Sequence, residues 1–205
     1  MSLLPNSKSI YTDWHKMFPG SGRGKQYPWL LDKIVQNQTQ YSTRNSKLSA
    51  KERQRRWKTL LDYGAGKGGT AEWLSSLIKN IDIDCYDPGN ELYKHTPLRE
   101  QYDVVYSCDV LEHIEREDID SVIEHCQSLS RNNLHIIDMT QAKKHLPDGR
   151  NCHITLLDRH QWTELFESHA HTIEQVYQYA VPDPNFTQRE RVCIWTQRTR
   201  KHTKR

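Results

Sequence analysis

The chain has 205 residues, enough for one domain with a hydrophobic core, and its six Trp and ten Tyr are too many for a disordered chain. A mean hydropathy of −0.89 and the lack of an apolar run near the roughly 20 residues of a membrane span argue against a transmembrane protein, and the start "MSLLPNSKSIYTDW" lacks the pattern of a secretory signal. The net charge is +3, and five scattered cysteines without a C-x-x-C pair favour a reducing cytoplasm over a disulfide framework or a zinc site.

The first elements predict a helical extension followed by a strand-helix-strand unit. Residues 1–56 form the extension, in which "YPWLLDKIVQNQ" has apolar residues near helical spacing. From Trp57 the pattern changes, and "WKTLLDYG" is typical of a short buried strand that ends at glycine. "GTAEWLSSLIKN" predicts a helix with one apolar side, and "IDIDCYDPG" predicts a second strand that stops at Pro88-Gly89.

The remaining elements continue the alternation and then end in two strands. "YDVVYSCDV" and "NNLHIIDMT" predict strands, and "REDIDSVIEHCQSLS" and "DRHQWTELFESH" predict helices. "HTIEQVYQYAV" and "RERVCIWTQR" predict two strands that pair antiparallel. The order favours an α/β three-layer sandwich with a mostly parallel sheet, in which ligands bind outside the carboxyl ends of the strands.

A glycine loop follows the first predicted strand. The P-loop pattern for nucleoside triphosphates fails, because Thr70 stands where lysine is required after Gly69. The pattern G-x-G-x-x-G is satisfied by Gly64, Gly66 and Gly69, with a strand before it and a helix after it. This pattern indicates a loop whose backbone approaches a ligand closely.

Two acids narrow the ligand of this loop. Asp87 ends the next strand, where a carboxylate can accept hydrogen bonds from both ribose hydroxyls of a nucleoside; the alternative is that it only starts the turn at Pro88-Gly89. Asp62 lies two residues before Gly64, where it would repel the pyrophosphate of a dinucleotide. It would attract the sulfonium and ammonium groups of S-adenosylmethionine (SAM), so the loop favours SAM.

These motifs resemble those of class I SAM-dependent methyltransferases. "LLDYGAGKGG" is similar to motif I of that superfamily, and "YDVVYSCDVLEHI" resembles its strand-four motif. The run D-V-L-E-H-I is similar to the subgroup that includes ubiquinone-biosynthesis O-methyltransferases. It also resembles small methyltransferase-domain proteins of phage and bacterial genomes, which share the later stretch "AKKHLPDGRNCHITLLDRHQWTELF". The resemblance runs from about Trp57 to Arg198.

The resemblance implies a Rossmann-like fold, with one departure. Residues 88–102 are too few for the helix and strand that the family usually places there, so we expect one strand to be missing and assign no adenine contact. The expected organisation is an N-terminal extension or lid at 1–56, a SAM-binding methyltransferase domain at 57–198 and a basic tail at 199–205. The implied cofactor-binding residues are Asp62, Gly64, Ala65, Gly66, Gly68, Asp87, Cys108, Asp109 and Val110.

Candidates for chemistry lie near the predicted strand ends. His113, His153 and Asp109 are the candidate catalytic residues, because methyl transfer often removes a proton from the acceptor; the two histidines could instead orient a loop or a turn. Arg150 could hold an acceptor carboxylate or phosphate, or be a surface arginine. No metal site is expected, because the spacing of Cys108, His145, Cys152 and His153 fits no known cluster.

The N-terminal aromatic stretch supplies the last candidates. In class I methyltransferases the segment before motif I often covers the cofactor, so Tyr11, Trp14 and His15 are candidate substrate-binding residues; packing on the sheet is an equally good interpretation of the aromatic side chains.

The partner prediction depends on charge. Residues 44–58 and 198–205 together carry +11, which leaves −8 on the rest of the chain. These tracts could bind nucleic acid or be solvated surface. The acidic body and the absence of an N/D-P-P-Y tetrapeptide at Cys108–Leu111 favour a small-molecule or glycan acceptor, methylated on oxygen or nitrogen. An NAD-dependent oxidoreductase is disfavoured by Asp62 and by the lack of a substrate domain. We expect no membrane partner and predict no oligomeric state.

Overall fold

The computed structural model describes residues 24–40, 57–169, 172–183 and 186–197. These residues form, in chain order, α1 Pro28–Gln40, β1 Thr59–Tyr63, α2 Gly69–Leu77, β2 Asp82–Tyr86, β3 Val104–Cys108, a 3-10 turn Leu111–His113, α3 Ile119–Leu129, β4 Asn132–Asp138, α4 Arg159–Ser168, β5 Thr172–Asp183 and β6 Phe186–Gln197.

The six strands form one sheet in the order β2-β1-β3-β4-β6-β5. The strands β2, β1, β3 and β4 run parallel, and β6 pairs antiparallel with both β4 and β5. The sequence predicted this mixture, because a helix lies between β1 and β2 and another between β3 and β4, whereas few residues separate the last two strands. The register of β4 with β6 places Asp138 opposite Arg191.

Helices cover both faces of the sheet. On one face α3 and α4 pack on β1, β3, β4 and β6, and the fully buried side chains there include Ile123, Trp162 and Phe166. On the other face α1 and α2 pack on the same strands through residues such as Leu30, Ile34 and Leu74. The predicted three-layer α/β sandwich is therefore confirmed, and α1 belongs to one of its layers.

The connection between β2 and β3 contains turns and no strand, in agreement with the predicted loss of one strand. Strand β2 is consequently one of the two edge strands of the sheet, and β5 is the other. Helix α4 begins where the sequence places a capping box: the Asp158 carboxylate accepts a hydrogen bond from the Gln161 backbone N–H, and the Gln161 side chain accepts one from the Asp158 N–H. Within the described residues, no helix is long and apolar enough to cross a membrane.

Candidate cofactor and acceptor site

The glycine loop joins β1 to α2 at the carboxyl edge of the parallel strands. The backbone N–H groups of Gly64 and Ala65 both donate to the Tyr86 carbonyl oxygen, at 2.7 and 3.1 Å, so the loop is fixed to the end of β2. Gly64 has φ of 78°, and a Cβ placed on it would lie 2.6 Å from Val110. Glycine is therefore required here both by the backbone conformation and by the close approach of the loop after β3.

Asp87 lies where the sequence predicts the ribose acid, directly after β2. It is 7% exposed, and its two carboxylate oxygens accept hydrogen bonds at 2.8 Å from the backbone N–H groups of Gly66 and Gly89. The Asn90 side-chain amide also donates to the Gly66 carbonyl. Each carboxylate oxygen can accept more than one hydrogen bond, so Asp87 can shape the glycine loop and still accept from a ligand hydroxyl.

Asp62 is a buried acid beside this loop. It is 2% exposed, and its Oδ2 accepts no hydrogen bond from the described part of the chain. Burial raises the pKa of its carboxyl to about 7, and the negative charge of Asp87 adds to the rise. A cationic ligand beside Asp62 would stabilise the ionised carboxylate, because the ligand supplies the positive charge that the described residues do not place there.

The opposite wall of the site follows β3. Asp109 adopts φ of 53°, unusual for a residue with a Cβ. Arg191 donates to both of its carboxylate oxygens, at 2.9 and 3.0 Å, and Lys25 Nζ donates to Oδ2 at 2.5 Å. Burial alone would raise the pKa of Asp109, but these two cations outweigh burial and hold the pKa well below its usual range. Asp109 is therefore an ionised acid with cationic partners.

The segment before α1 joins the two walls. A Cβ on Gly24 would lie 2.4 Å from the backbone nitrogen of Thr70, so this segment rests directly on the first turn of α2. One residue later, Lys25 reaches Asp109 on the far wall. Residues 24–25 thus connect the helix that follows the glycine loop to the end of β3.

His113 and His153 are brought together at the same edge of the sheet. Their rings are perpendicular, with centroids 4.8 Å apart. Nδ1 of His113 lies 2.8 Å from the Cys152 carbonyl oxygen, and Nδ1 of His153 lies 2.5 Å from that of Thr140. Burial lowers the pKa of His113 to about 4, and burial also lowers the pKa of His153. Both imidazoles are therefore neutral at neutral pH, and their catalytic role stays a prediction.

Other predicted residues are less involved or lie outside the described residues. The half-exposed Arg150 forms ion pairs with Asp148 and Glu115, at 2.7 and 2.8 Å, and its role in acceptor binding stays a prediction. Tyr11, Trp14 and His15 lie outside the described residues, as do the basic tail 198–205 and the basic segment 44–58 apart from its last two residues.

Two residues at this edge were missed by the sequence interpretation. Arg191 reaches both Asp109 and Asp138, and no local pattern in β6 indicates this role. Glu112 is completely buried beside His113. Its place in the run D-V-L-E-H was the available signal, but a charged residue in a short turn is usually exposed.

A groove of about 850 Å³ lies apart from the glycine loop. It runs along the start of α4 towards β5 and β6, and residues such as Met139, Leu157, Gln178 and Glu190 line it. Neither the glycine loop nor Asp87 contributes to its lining. Asp62 and Asp87, the buried acids that the sequence predicts for the cofactor, lie beside the loop and not in this groove.

Comparisons with known proteins agree with this geometry. A family model described as a methyltransferase domain matches residues 35–199. The fold is similar to that of 1,6-didemethyltoxoflavin-N1-methyltransferase from Burkholderia thailandensis, solved with bound S-adenosylhomocysteine (SAH), at 11% identity and a TM-score of 0.59 over 93% of this chain and 88% of that chain. No curated protein sequence matches the chain.

Two further solved structures have similar folds. Magnesium protoporphyrin IX methyltransferase from Synechocystis PCC 6803, with bound SAH, is 15% identical with a TM-score of 0.56, over 94% of this chain and 100% of that chain. The small RNA methyltransferase HEN1 is 11% identical with a TM-score of 0.55, over 84% of this chain and 25% of that chain. Because the family model covers most of the sequence, the chain belongs to the methyltransferase-domain family and is a class I SAM-dependent methyltransferase.

Proposed function

We propose that this enzyme transfers the methyl group of SAM to a hydroxyl or amine of a small-molecule or glycan acceptor. The proposal is supported by two groups of residues that lie together where the parallel strands end. On one side are the glycine loop and the buried acids Asp62 and Asp87. On the other are Asp109 and two neutral histidines.

The cofactor-side roles follow from charge and hydrogen bonding. Asp87 accepts from the ribose hydroxyls, and Asp62 faces the cationic end of SAM. The backbone of Gly64, Ala65 and Gly66, with Gly68, lines the cofactor, and Cys108, Asp109 and Val110 flank it from the end of β3. The contact of Val110 with Gly64 supports this arrangement, because it brings the two walls together.

The acceptor lies on the side of His113, His153 and Asp109. In the reaction the sulfur–methyl bond breaks as the new bond to oxygen or nitrogen forms, and the acceptor loses a proton. His113 and His153 assist the removal of this proton from the acceptor. Asp109 holds Lys25 and Arg191 in place through ion pairs. We propose that the acceptor is also bound by Arg150, Tyr11, Trp14 and His15.

The charge distribution supports a small acceptor. Outside its two basic segments the chain carries −8, which disfavours a polyphosphate backbone at the site. The fold alone does not choose the acceptor, because similar folds occur in enzymes named for a toxoflavin precursor, a porphyrin and small RNA.

The test is a coupled assay that detects SAH released from SAM in the presence of pooled hydroxyl- and amine-bearing metabolites and oligosaccharides. We expect turnover with at least one pool. The variant His153→Gln should lose turnover with that pool while its SAH affinity is retained. Full turnover in His153→Gln would contradict the role of this edge.

A nucleic-acid acceptor is the second candidate, because residues 44–58 and 198–205 concentrate basic charge. It predicts turnover with RNA or DNA oligonucleotides, together with binding that weakens steeply as salt increases and that is reduced when residues 198–205 are deleted. Turnover with oligonucleotides alone would replace the small-molecule proposal with this one.

A further inference from the structure

Three side chains with metal-binding atoms meet at the acceptor side of the site. Glu112 lies on the 3-10 turn after β3, His113 follows it, and His153 lies in the loop after β4. One candidate ligand atom from each residue lies within 4.8 Å of those from the other two. The spacing of the cysteines and nearby histidines predicts no metal site from the sequence, whereas the fold brings together a carboxylate and two imidazoles.

Glu112 is the first independent sign of a bound cation. It is 0% exposed, its Oε1 accepts a hydrogen bond from the Asp138 backbone N–H at 3.3 Å, and its Oε2 has no hydrogen-bond partner among the described residues. A buried carboxylate oxygen without a partner is costly in free energy unless a proton or a cation neutralises the group, and a cation bound here would take the place of the proton.

The neighbouring acids sharpen this sign. Asp109 is paired with Lys25 and Arg191. Asp138 is paired with Arg189 at 2.9 Å and with Arg191 at 3.2 Å. Glu112 lies beside both acids, yet no lysine, arginine or histidine of the described residues forms an ion pair with it. The basic side chains here thus neutralise Asp109 and Asp138, and none of those described forms an ion pair with Glu112.

Both histidines are oriented as metal ligands usually are. A carbonyl oxygen only accepts hydrogen bonds, so the contacts to Cys152 and Thr140 place the proton of each ring on Nδ1. Nε2 then carries the lone pair that can bind a metal. Metal-ligating histidines commonly donate the N–H of the other ring nitrogen to a backbone carbonyl, which fixes both the tautomer and the direction of the ring.

We propose that Glu112, His113 and His153 bind one divalent transition-metal cation, and that the metal holds a hydroxyl group of the acceptor. The two imidazole nitrogens suit Fe²⁺ or Zn²⁺ better than Ca²⁺ or Mg²⁺, and the carboxylate also suits Mn²⁺. The three candidate ligand atoms lie up to 4.8 Å from one another. A metal ion at about 2.1 Å from each of them requires these distances to shorten somewhat. Three protein ligands leave a coordination position open for an exogenous oxygen.

A metal at this site indicates that the acceptor is a hydroxyl compound, and it provides a way for that hydroxyl to lose its proton. This part rests on the proposed methyl transfer. A metal-bound hydroxyl has a lowered pKa and releases its proton to solvent. The resulting oxygen attacks the methyl carbon of SAM, an oxygen–carbon bond forms, and the carbon–sulfur bond breaks to give the methyl ether and SAH. The two histidines act here as metal ligands, and the proton leaves from the bound hydroxyl group.

The test begins with metal binding by the full chain. Protein stripped with a chelator is titrated with Mn²⁺, Zn²⁺ and Co²⁺ by calorimetry, and Co²⁺ is also followed by its visible absorption spectrum. We expect one ion per chain, with Mg²⁺ bound at least tenfold more weakly than Zn²⁺. Glu112→Gln and His153→Gln should each weaken Co²⁺ binding by tenfold or more and abolish the spectrum of the wild-type site.

Matched controls come from the same two loops. Glu117→Gln and His145→Gln change an exposed acid and an exposed histidine outside the cluster, and we expect both to bind Co²⁺ as the wild type does. SAH binding is measured on every variant to show that it is folded. Stripped protein that binds SAH but no metal, or Co²⁺ affinity unchanged in both cluster variants, would overturn the site. Metal binding without SAH binding would overturn the proposed methyl transfer and leave the site standing.

Discussion

The carboxyl group of Asp62 lies at the end of β1, buried and with one oxygen that accepts no hydrogen bond from the described residues. Its pKa is raised to about 7 by burial, so a large part of it is protonated at neutral pH in the absence of ligand. The ammonium group that SAM and SAH share favours the ionised form. Cofactor binding should therefore be linked to the loss of a proton from this residue.

The pH dependence of SAH affinity follows from this linkage. Above about pH 7 Asp62 is already ionised and the affinity should be constant. As the pH falls below 7, binding must first remove the proton, so the affinity should fall by up to about tenfold per pH unit. Calorimetry between pH 5.5 and about 8.5, in buffers with different heats of ionisation, measures both the affinity and the proton released.

The variant Asp62→Asn serves as the control for this dependence. It keeps the size of the side chain and removes the titration, so its weaker SAH binding should be independent of pH over the same range. A wild-type affinity that rises as the pH falls would contradict the assignment of Asp62.

The ribose-binding role of Asp87 can be tested by comparison with Asp103, another acid whose carboxylate accepts hydrogen bonds from the backbone. Asp87→Asn should weaken SAH binding by about 1–3 kcal/mol, because a neutral amide is a poorer acceptor for the ribose hydroxyls. Asp103→Asn is the matched control: its carboxylate accepts from the Lys58 and Thr59 backbone N–H groups at 2.8 and 3.0 Å, before β3 begins and so at the opposite edge of the sheet. Calorimetry with SAH should show a loss for Asp87→Asn only, and equal losses would refute the ribose role.

For individual residues, the sequence predicted best those positions that depend on short-range spacing along the chain. The places of Asp62 and Asp87 relative to the glycines follow from the strand-loop-helix unit. The ion pairs of Asp109 do not, because Lys25 and Arg191 are 84 and 82 residues away in sequence. The burial of Glu112 was not predicted either, because it depends on how the 3-10 turn packs under the loop after β4.

Among the elements, the loop between β1 and α2 has little room for a side chain at its first glycine. Gly64 has a positive φ, and Val110 fills the space that a Cβ would need. Gly149 also has a positive φ, of 87°, but a Cβ there would meet nothing within 4 Å. The two glycines thus separate the cost of the backbone conformation from the cost of the close contact.

Alanine at these two positions tests the loop geometry. Gly149→Ala should cost only the left-handed conformation, about 1–2 kcal/mol in the free energy of unfolding. Gly64→Ala should cost about 1–3 kcal/mol more, because Val110 must move, and it should also weaken SAH binding at least tenfold. Urea unfolding and SAH calorimetry measure the two effects. Equal losses of stability, with SAH affinity intact in Gly64→Ala, would show that the loop does not approach Val110 in solution.

The elements themselves were largely predictable, since each has a clear pattern. Helices α2, α3 and α4 show apolar residues at helical spacing, and β1 and β3 are short, mainly apolar runs that stop just before a glycine or an aspartate. The order of strands in the sheet was not predicted. Chain order does not show that β6 lies between β4 and β5, and this insertion is what brings Arg191 beside Asp138.

For the whole molecule, the sheet collects the ends of β1, β2, β3 and β4 at one edge, and every acid discussed for cofactor or metal binding lies there. The short connection of residues 87–103 leaves β2 at the side of the sheet. The basic segments contribute charge but lie almost wholly outside the described residues. The central claim therefore depends on this edge and on the ligand that its glycine loop binds.

The measurement that tests this claim most directly is calorimetry of the full chain with SAH, with NADH as the matched nucleotide control. We predict that one SAH binds per chain with micromolar affinity and that NADH gives no heat above dilution. NADH binding tighter than SAH binding, or no binding of SAH by folded protein, would contradict the assignment of this edge as a SAM site.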